Sequence, residues 1–168
     1  PKVLQPLAGR PLLGHVLDTS LGLEAAATYV VYGHGGEQVL PAFEGRDVQW
    51  VLQAEQHGTG HAVAQAMPSI PDDHQVLVLY GDVPMVQLDT LARLVAAAGP
   101  AAVSLLSVML PDPTGYGRIV RDGAGNVVRI VEHKDANTKE RAIHESNTGL
   151  MCVPARDLKT WLAALKND

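Results

Sequence analysis

An acid placed directly after an apolar run is the first position in this chain able to do chemistry. Gln75-Val76-Leu77-Val78-Leu79-Tyr80-Gly81-Asp82 passes from five consecutive β-formers, Val76 to Tyr80, to a carboxylate through one glycine. A run without alternation reads as a strand buried on both faces, as in a parallel sheet under helices. Gly81 lets the backbone turn tightly. Asp82 then stands at the carboxyl end of a strand, where open α/β sheets bind their ligands. A carboxylate there can hold Mg²⁺ against the phosphates of a substrate. The plainer alternative is an aspartate that serves the turn.

Other polar groups fall at strand ends as well. Gln53-Ala54-Glu55-Gln56-His57-Gly58-Thr59-Gly60 reads as a βα loop with two glutamines and two glycines. A glutamine amide both donates and accepts, which suits a nucleobase edge, and glycines let backbone amides approach a ring or a phosphate. An ordinary loop capped by Thr59 fits the same pattern. Gly33-His34-Gly35-Gly36 resembles a phosphate cradle, yet the G-x-G-x-x-G spacing of a dinucleotide fingerprint is absent, which disfavours an NAD-dependent dehydrogenase. A glycine cluster that merely turns the chain is the favoured reading there.

Lys2 can neutralise a phosphate as a point charge. Asp112-Pro113-Thr114-Gly115-Tyr116-Gly117-Arg118 is glycine-rich and reads first as a tight connection. Glu132-His133-Lys134-Asp135 and Glu145-Ser146-Asn147-Thr148 border strands and read first as solvated faces. His57 and His61 are four apart, but glycines interrupt the segment, so clustered zinc ligands are not expected. His15 and His34 read as structural or supporting. Cys152, the single cysteine, lies in an apolar strand and reads as a buried, inert thiol.

These groups need elements to hold them. Pro11 to Leu21 carries helical spacing at Leu13, Val16, Leu17 and Leu21, with Gly22 as a stop. Strands are expected over Thr28 to Tyr32, Val48 to Leu52 and Val76 to Tyr80. Helices are expected over Glu37 to Phe43, from Thr59 as N-cap to about Met67, and through Leu88, Leu91, Leu94 and Val95. The alternation predicts a doubly wound parallel sheet. The second half changes character. Strands are expected over Ala101 to Leu110, Gly117 to Arg121, Val127 to Glu132 and Thr148 to Val153, the middle two joined by a turn at Asp122 to Asn126. A last helix places Leu158, Trp161, Leu162 and Leu165 on one face. The reading is one Rossmann-like α/β domain with a mixed sheet.

Composition agrees. The 168 residues suit about one domain, with 46% apolar residues and a net charge of −5, against a nucleic-acid or membrane-surface partner. No apolar stretch is long enough to span a bilayer and no signal peptide opens the chain, so a cytoplasmic location is expected. The start at Pro1 without a methionine suggests a fragment.

Seven strings taken together resemble one family. They are Val31-Tyr32-Gly33-His34-Gly35-Gly36, Trp50 through Gln56, Gly58-Thr59-Gly60-His61-Ala62, Leu79-Tyr80-Gly81-Asp82-Val83-Pro84, Asp112 through Ile119, Ile130 through Ala136, and Asn147-Thr148-Gly149. In this order they resemble the bacterial N-acetylglucosamine-1-phosphate uridyltransferases, across essentially the whole chain. That resemblance implies the nucleotide-diphospho-sugar transferase fold. The implied reaction moves UMP from UTP to N-acetylglucosamine 1-phosphate, giving UDP-N-acetylglucosamine and pyrophosphate with Mg²⁺. It further implies that Lys2 contacts phosphate, that Gln53, Gly58 and Thr59 recognise uracil, and that Tyr80 and Gly81 line the nucleotide pocket. Asp82 would be the metal ligand, and Gly117, Glu132 and Asn147 would bind the N-acetylglucosamine moiety.

In that family a Gly-x-Gly-Thr-Arg loop precedes the Pro-Lys-Val-Leu match, a second metal-binding asparagine follows the matched region, and a β-helix acetyltransferase domain comes after. None of these lies within the 168 residues. The expectation is therefore an incomplete uridyltransferase domain over residues 1–168, with a homo-oligomer, a trimer, for the full-length protein. The alternative is a sugar-nucleotide-binding fragment without catalytic competence.

Overall fold

Apolar spacing on the first helix sets one of the cores. The helix α1 (Leu12–Leu21) buries Leu13, Val16 and Leu17, and Leu13 and Leu17 pack with Val39, Phe43 and Trp50. Before it lies a two-residue hairpin, β1 (Pro6–Leu7) and β2 (Arg10–Pro11), which no local pattern announced. Pro11 stands immediately before the helix, and Gly22 ends it in right-handed backbone, φ −64°. The structure, a computed structural model, describes residues 1–33, 35–99 and 102–165. His34, with its expected supporting role, and Ala101, the expected start of a strand, lie outside the described residues.

The first half continues with β3 (Tyr29–Gly33), the short helix α2 (Val39–Ala42), β4 (Gln49–Gln53) and α3 (Thr59–Ala66). β3 and β4 pair in parallel, Tyr29 opposite Gln49 through Gly33 opposite Gln53. The helix α3 starts one residue earlier than a Thr59 cap would place it. Gly58 is its N-cap at φ +94° and Thr59 is the first helical residue. The reason is conformational, because the entry turn demands a positive φ that glycine adopts without a Cβ clash.

The second half comprises β5 (Gln75–Val78), α4 (Leu88–Ala98), β6 (Ser104–Met109), β7 (Arg118–Arg121), β8 (Val127–Val131), α5 (Thr138–Arg141), β9 (Glu145–Pro154) and α6 (Ala155–Ala164). All these strands pair antiparallel, with β9 as the hub contacting β5, β6 and β7. The Gln75–Val78 strand thus corrects the expectation of a parallel, doubly buried strand. Its neighbour is β9, Val76 opposite Val153 and Val78 opposite Met151. It stops at Val78; Gln75 is exposed and Val76 to Val78 are half-buried, and these residues line a cavity. Leu79 and Tyr80 leave the ladder, and Val83 N–H closes a turn on the Tyr80 carbonyl at 3.2 Å.

The β7–β8 hairpin forms as expected. Asp122 organises its turn by accepting from the Ala124 and Asn126 amides at 2.9 Å each, and the Asn126 hydrogen bonds hold its carboxyl below the usual range. Asn137 caps α5 through a capping box with Glu140. Met67, Val153, Ala155 and Leu158 form a second core, and Leu94, Ala98, Leu150 and Cys152 a third. Burial raises the Cys152 thiol above its ordinary value, in keeping with an inert thiol.

Candidate functional site

Residues of β3 and β5 both line a cavity of about 1760 Å³. Its walls are apolar. Its lining includes the ends of three strands, with Gly33, Gly35 and Gly36 from one, Gln53, Gly58 and Thr59 from the next, and Tyr80 and Gly81 from the third. The structure brings these strand-end loops to one cavity. The α/β rule explains why, since ligands meet such sheets at strand ends.

Gln53 ends β4 and is 8% exposed. Its amide nitrogen donates to the Gly58 carbonyl at 3.2 Å and lies 3.0 Å from His61 Nδ1. His61 was missed as a site residue. It stands on the first turns of α3, its ring edge-on to that of His57 at 5.1 Å between centroids. Glu55 pairs with His57 at 2.9 Å, and that hydrogen bond lowers the Glu55 carboxyl. His57 and His61 therefore serve hydrogen bonds here.

Asp82 follows directly on the Gly81 turn. Lys2 Nζ donates to Asp82 Oδ2 at 2.8 Å, with the lysine side chain 70% and the aspartate side chain 34% exposed. The hydrogen bond and the charge of Asp82 raise the Lys2 ammonium above its usual value. Asp82 belongs to no group of three or more His, Cys, Asp or Glu suited to a metal among the described residues. One carboxylate is sufficient for a hard cation such as Mg²⁺, which retains water and takes further ligands from phosphates.

A second group forms where β7 meets β9. The Asn147 backbone N–H donates to the Gly117 carbonyl at 2.8 Å. A Cβ placed on Gly117 would stand 3.1 Å from Glu132 Oε1, so this glycine keeps the carboxylate and the backbone close. Asn147 Oδ1 accepts from the Gly149 amide at 3.0 Å, which leaves the Asn147 NH₂ to donate elsewhere. Gly149 has φ +79°, and a Cβ there would stand 2.6 Å from the Tyr80 hydroxyl. Tyr80 thus packs against the backbone that presents Asn147 and connects the two groups.

Arg118 was missed too. It is 1% exposed, its guanidinium donates to the Tyr116 carbonyl and lies 3.2 Å from His133 Nδ1, and its Nε has no hydrogen-bond partner. It ties the 112–117 loop to the segment carrying Glu132. An arginine at a strand start, between Gly117 and Ile119, was the available signal.

Comparison with known proteins follows this geometry. The family profile described as MobA-like NTP transferase domain matches residues 1–138. The chain is 60% identical over 168 residues to the Bifunctional protein GlmU of Halorhodospira halophila, covering all of this chain and 35% of that protein. It is likewise 60% identical to the Bifunctional protein GlmU of Thiobacillus denitrificans, covering 36% of it. The chain therefore spans little more than a third of the curated relatives it matches. Among solved structures, a CMP:2-keto-3-deoxy-manno-octonic acid synthetase complexed with CTP matches with TM-score 0.76 at 16% identity, covering 98% of this chain and 72% of that one. An apo UDP-glucose pyrophosphorylase matches with TM-score 0.73 at 14% identity, covering 99% and 74%. At such identities the likeness shows the α/β fold.

Proposed function

This chain belongs to the MobA-like NTP transferase domain family, and from that premise we propose that its site transfers UMP from UTP to N-acetyl-α-D-glucosamine 1-phosphate. The observation that carries the proposal is the Lys2–Asp82 pair, whose chain neighbours Pro1, Val3 and Gly81 line the same cavity as Gln53, Gly58 and Thr59. The second group, Gly117, Glu132 and Asn147, connects to the cavity through Tyr80 and Gly149.

In this reading an oxygen of the sugar phosphate attacks the α-phosphorus of UTP. The new P–O bond forms as the α-phosphorus to β-bridging oxygen bond breaks, and pyrophosphate leaves with the electron pair. The attacking phosphate is already anionic, so no side chain removes a proton. Catalysis is then positioning and charge neutralisation. Mg²⁺, held by Asp82 and substrate phosphates, would supply charge neutralisation between the two substrates. Lys2 adds its ammonium to the same phosphates. Gln53, with the backbone of Gly58 and Thr59, reads the uracil edge. Tyr80 and Gly81 shape the nucleotide pocket.

Glu132 is exposed and accepts from sugar hydroxyls, the Asn147 NH₂ donates to the sugar, and the Gly117 backbone adds a third contact. The relatives' length supports reading residues 1–168 as part of a uridyltransferase domain of a longer protein; in this reading that protein is a cytoplasmic homo-oligomer, a trimer. No helix among the described residues is long and apolar enough to cross a membrane.

The test is a pyrophosphate-release assay with UTP, N-acetylglucosamine 1-phosphate and Mg²⁺, set beside calorimetry with UDP-N-acetylglucosamine. Release that requires both substrates and the metal is expected. Turnover confined to another nucleoside triphosphate or another sugar phosphate overturns the assignment, and binding without release leaves only a sugar-nucleotide-binding role.

A further inference from the structure

We propose that His61 is a specificity-determining residue that fixes the hydrogen-bonding polarity of Gln53, and so selects a base edge that presents an N–H. The inference rests on the reading of Gln53 as the base-recognition residue.

The argument starts at the Gly58 carbonyl, which can only accept. The Gln53 atom 3.2 Å from it must therefore be the amide nitrogen. An NH₂ group has two hydrogens. One goes to Gly58 and the other points at His61 Nδ1, 3.0 Å away, so Nδ1 must be the unprotonated, accepting ring nitrogen. Both hydrogens are then used within the protein. What Gln53 still has to offer is Oε1, an acceptor, which has no hydrogen bond from the described residues. Gln53 lines the cavity with Gly58 and Tyr80.

A neutral ring with Nδ1 accepting carries its proton on Nε2. That nitrogen lies 3.2 Å from the Gln65 amide nitrogen, which also donates to the His61 carbonyl at 3.1 Å. Two donors cannot face each other, so one glutamine must turn. Gln65 is the one free to do so, because it is only partly buried and its carbonyl partner lies within the helix. Turned and swung clear of the His61 carbonyl, Gln65 accepts through Oε1 from Nε2–H. Gln53, 8% exposed and held on two sides, has no such freedom. The chain of hydrogen bonds then runs in one direction, from Nε2–H to Gln65 at one end and from Gln53 to Nδ1 at the other.

The chemical consequence concerns the base. Uracil presents N3–H, which Oε1 can accept. Cytosine presents a bare N3 at the same place, and two acceptors would then oppose each other. A site built to receive a donor rejects the analogue lacking it because the buried partner is left unpaired. Loss of the Nδ1 acceptor leaves the Gly58 carbonyl holding one Gln53 hydrogen and frees the other to donate, so that the amide can also meet a bare N3.

The experiment measures UTP and CTP affinity by titration calorimetry for the unaltered protein, His61→Leu, His61→Asn and Gln53→Ala. His61→Leu should lower the UTP-over-CTP ratio by about tenfold or more, the scale of one mis-set hydrogen bond. His61→Asn, whose Oδ1 can stand in for Nδ1, should retain most of the ratio. An unchanged ratio in His61→Leu, with Gln53→Ala weakened for UTP, overturns the role of His61 alone. UTP binding unaffected by Gln53→Ala overturns the base-recognition reading itself. Should His61→Leu fail to fold, the nitrogen-15 spectrum of His61 in the unaltered protein decides the matter. An unprotonated Nδ1 is expected, and a ring carrying its proton on Nδ1 overturns the proposal.

Discussion

Lys2 Nζ donates to Asp82 Oδ2 at 2.8 Å, joining groups 80 positions apart. Exposed ion pairs of this kind contribute little to stability, so the importance of the pair lies in where it stands, next in the chain to Val3 and Gly81, which line the cavity. Asp82→Ala should reduce kcat by about 10²-fold or more, the scale of one lost electrostatic stabiliser, while leaving thermal unfolding nearly unchanged. Pyrophosphate release at saturating Mg²⁺ measures it, and near-normal turnover removes Asp82 from the metal-binding role.

Gly149 offers a test of packing. Its φ of +79° and the Tyr80 hydroxyl 2.6 Å from a would-be Cβ leave no room for a side chain. Gly149→Ala should destabilise the fold by about 1–3 kcal/mol and displace Tyr80. A lowered Tm together with weaker UDP-N-acetylglucosamine binding is the expected pairing.

Asn147 separates the substrates. Its Oδ1 is taken by the Gly149 amide at 3.0 Å, so only its NH₂ can serve a sugar. Asn147→Asp removes that donor and should raise KM for N-acetylglucosamine 1-phosphate about tenfold, with KM for UTP little changed. Equal effects on both values would remove the sugar-specific role.

Glu145 gives a pH dependence. Arg121 hydrogen bonds, with Ser107, hold its carboxyl down at about 2 against an ordinary 4.5. A folded value below the unfolded one means the ionised form stabilises the fold. That contribution is complete above pH 4.5, declines as the pH falls, and is gone below about 2. Acid unfolding followed by circular dichroism should show Glu145→Gln less stable at neutral pH and less sensitive across that window.

Much of the cleft was legible because strand ends in α/β sheets carry function, and Gly33, Gln53, Gly58 and Gly81 all mark such ends. The pairing of Gln75–Val78 was not. An apolar run looks the same whether its neighbour is parallel or antiparallel, and only the distant Met151–Pro154 segment decides that. The approach of Asn147 to Gly117 likewise depends on the register of a long antiparallel strand. Gly58 displaced Thr59 as the helix cap because a backbone angle outweighed a side-chain preference. His61 stayed hidden for another reason: its contribution is the direction of a hydrogen bond, which residue type alone does not reveal.

The two sheets share no strand among the described residues, since β3 pairs with β4 while β5 belongs to the ladder centred on β9. Cooperativity between them must therefore pass largely through side chains, including those of α3, and not through a continuous hydrogen-bond ladder. Backbone amides of Tyr29 to Gly33 should exchange with solvent deuterium through a local opening that leaves the amides of Leu150 to Val153 protected.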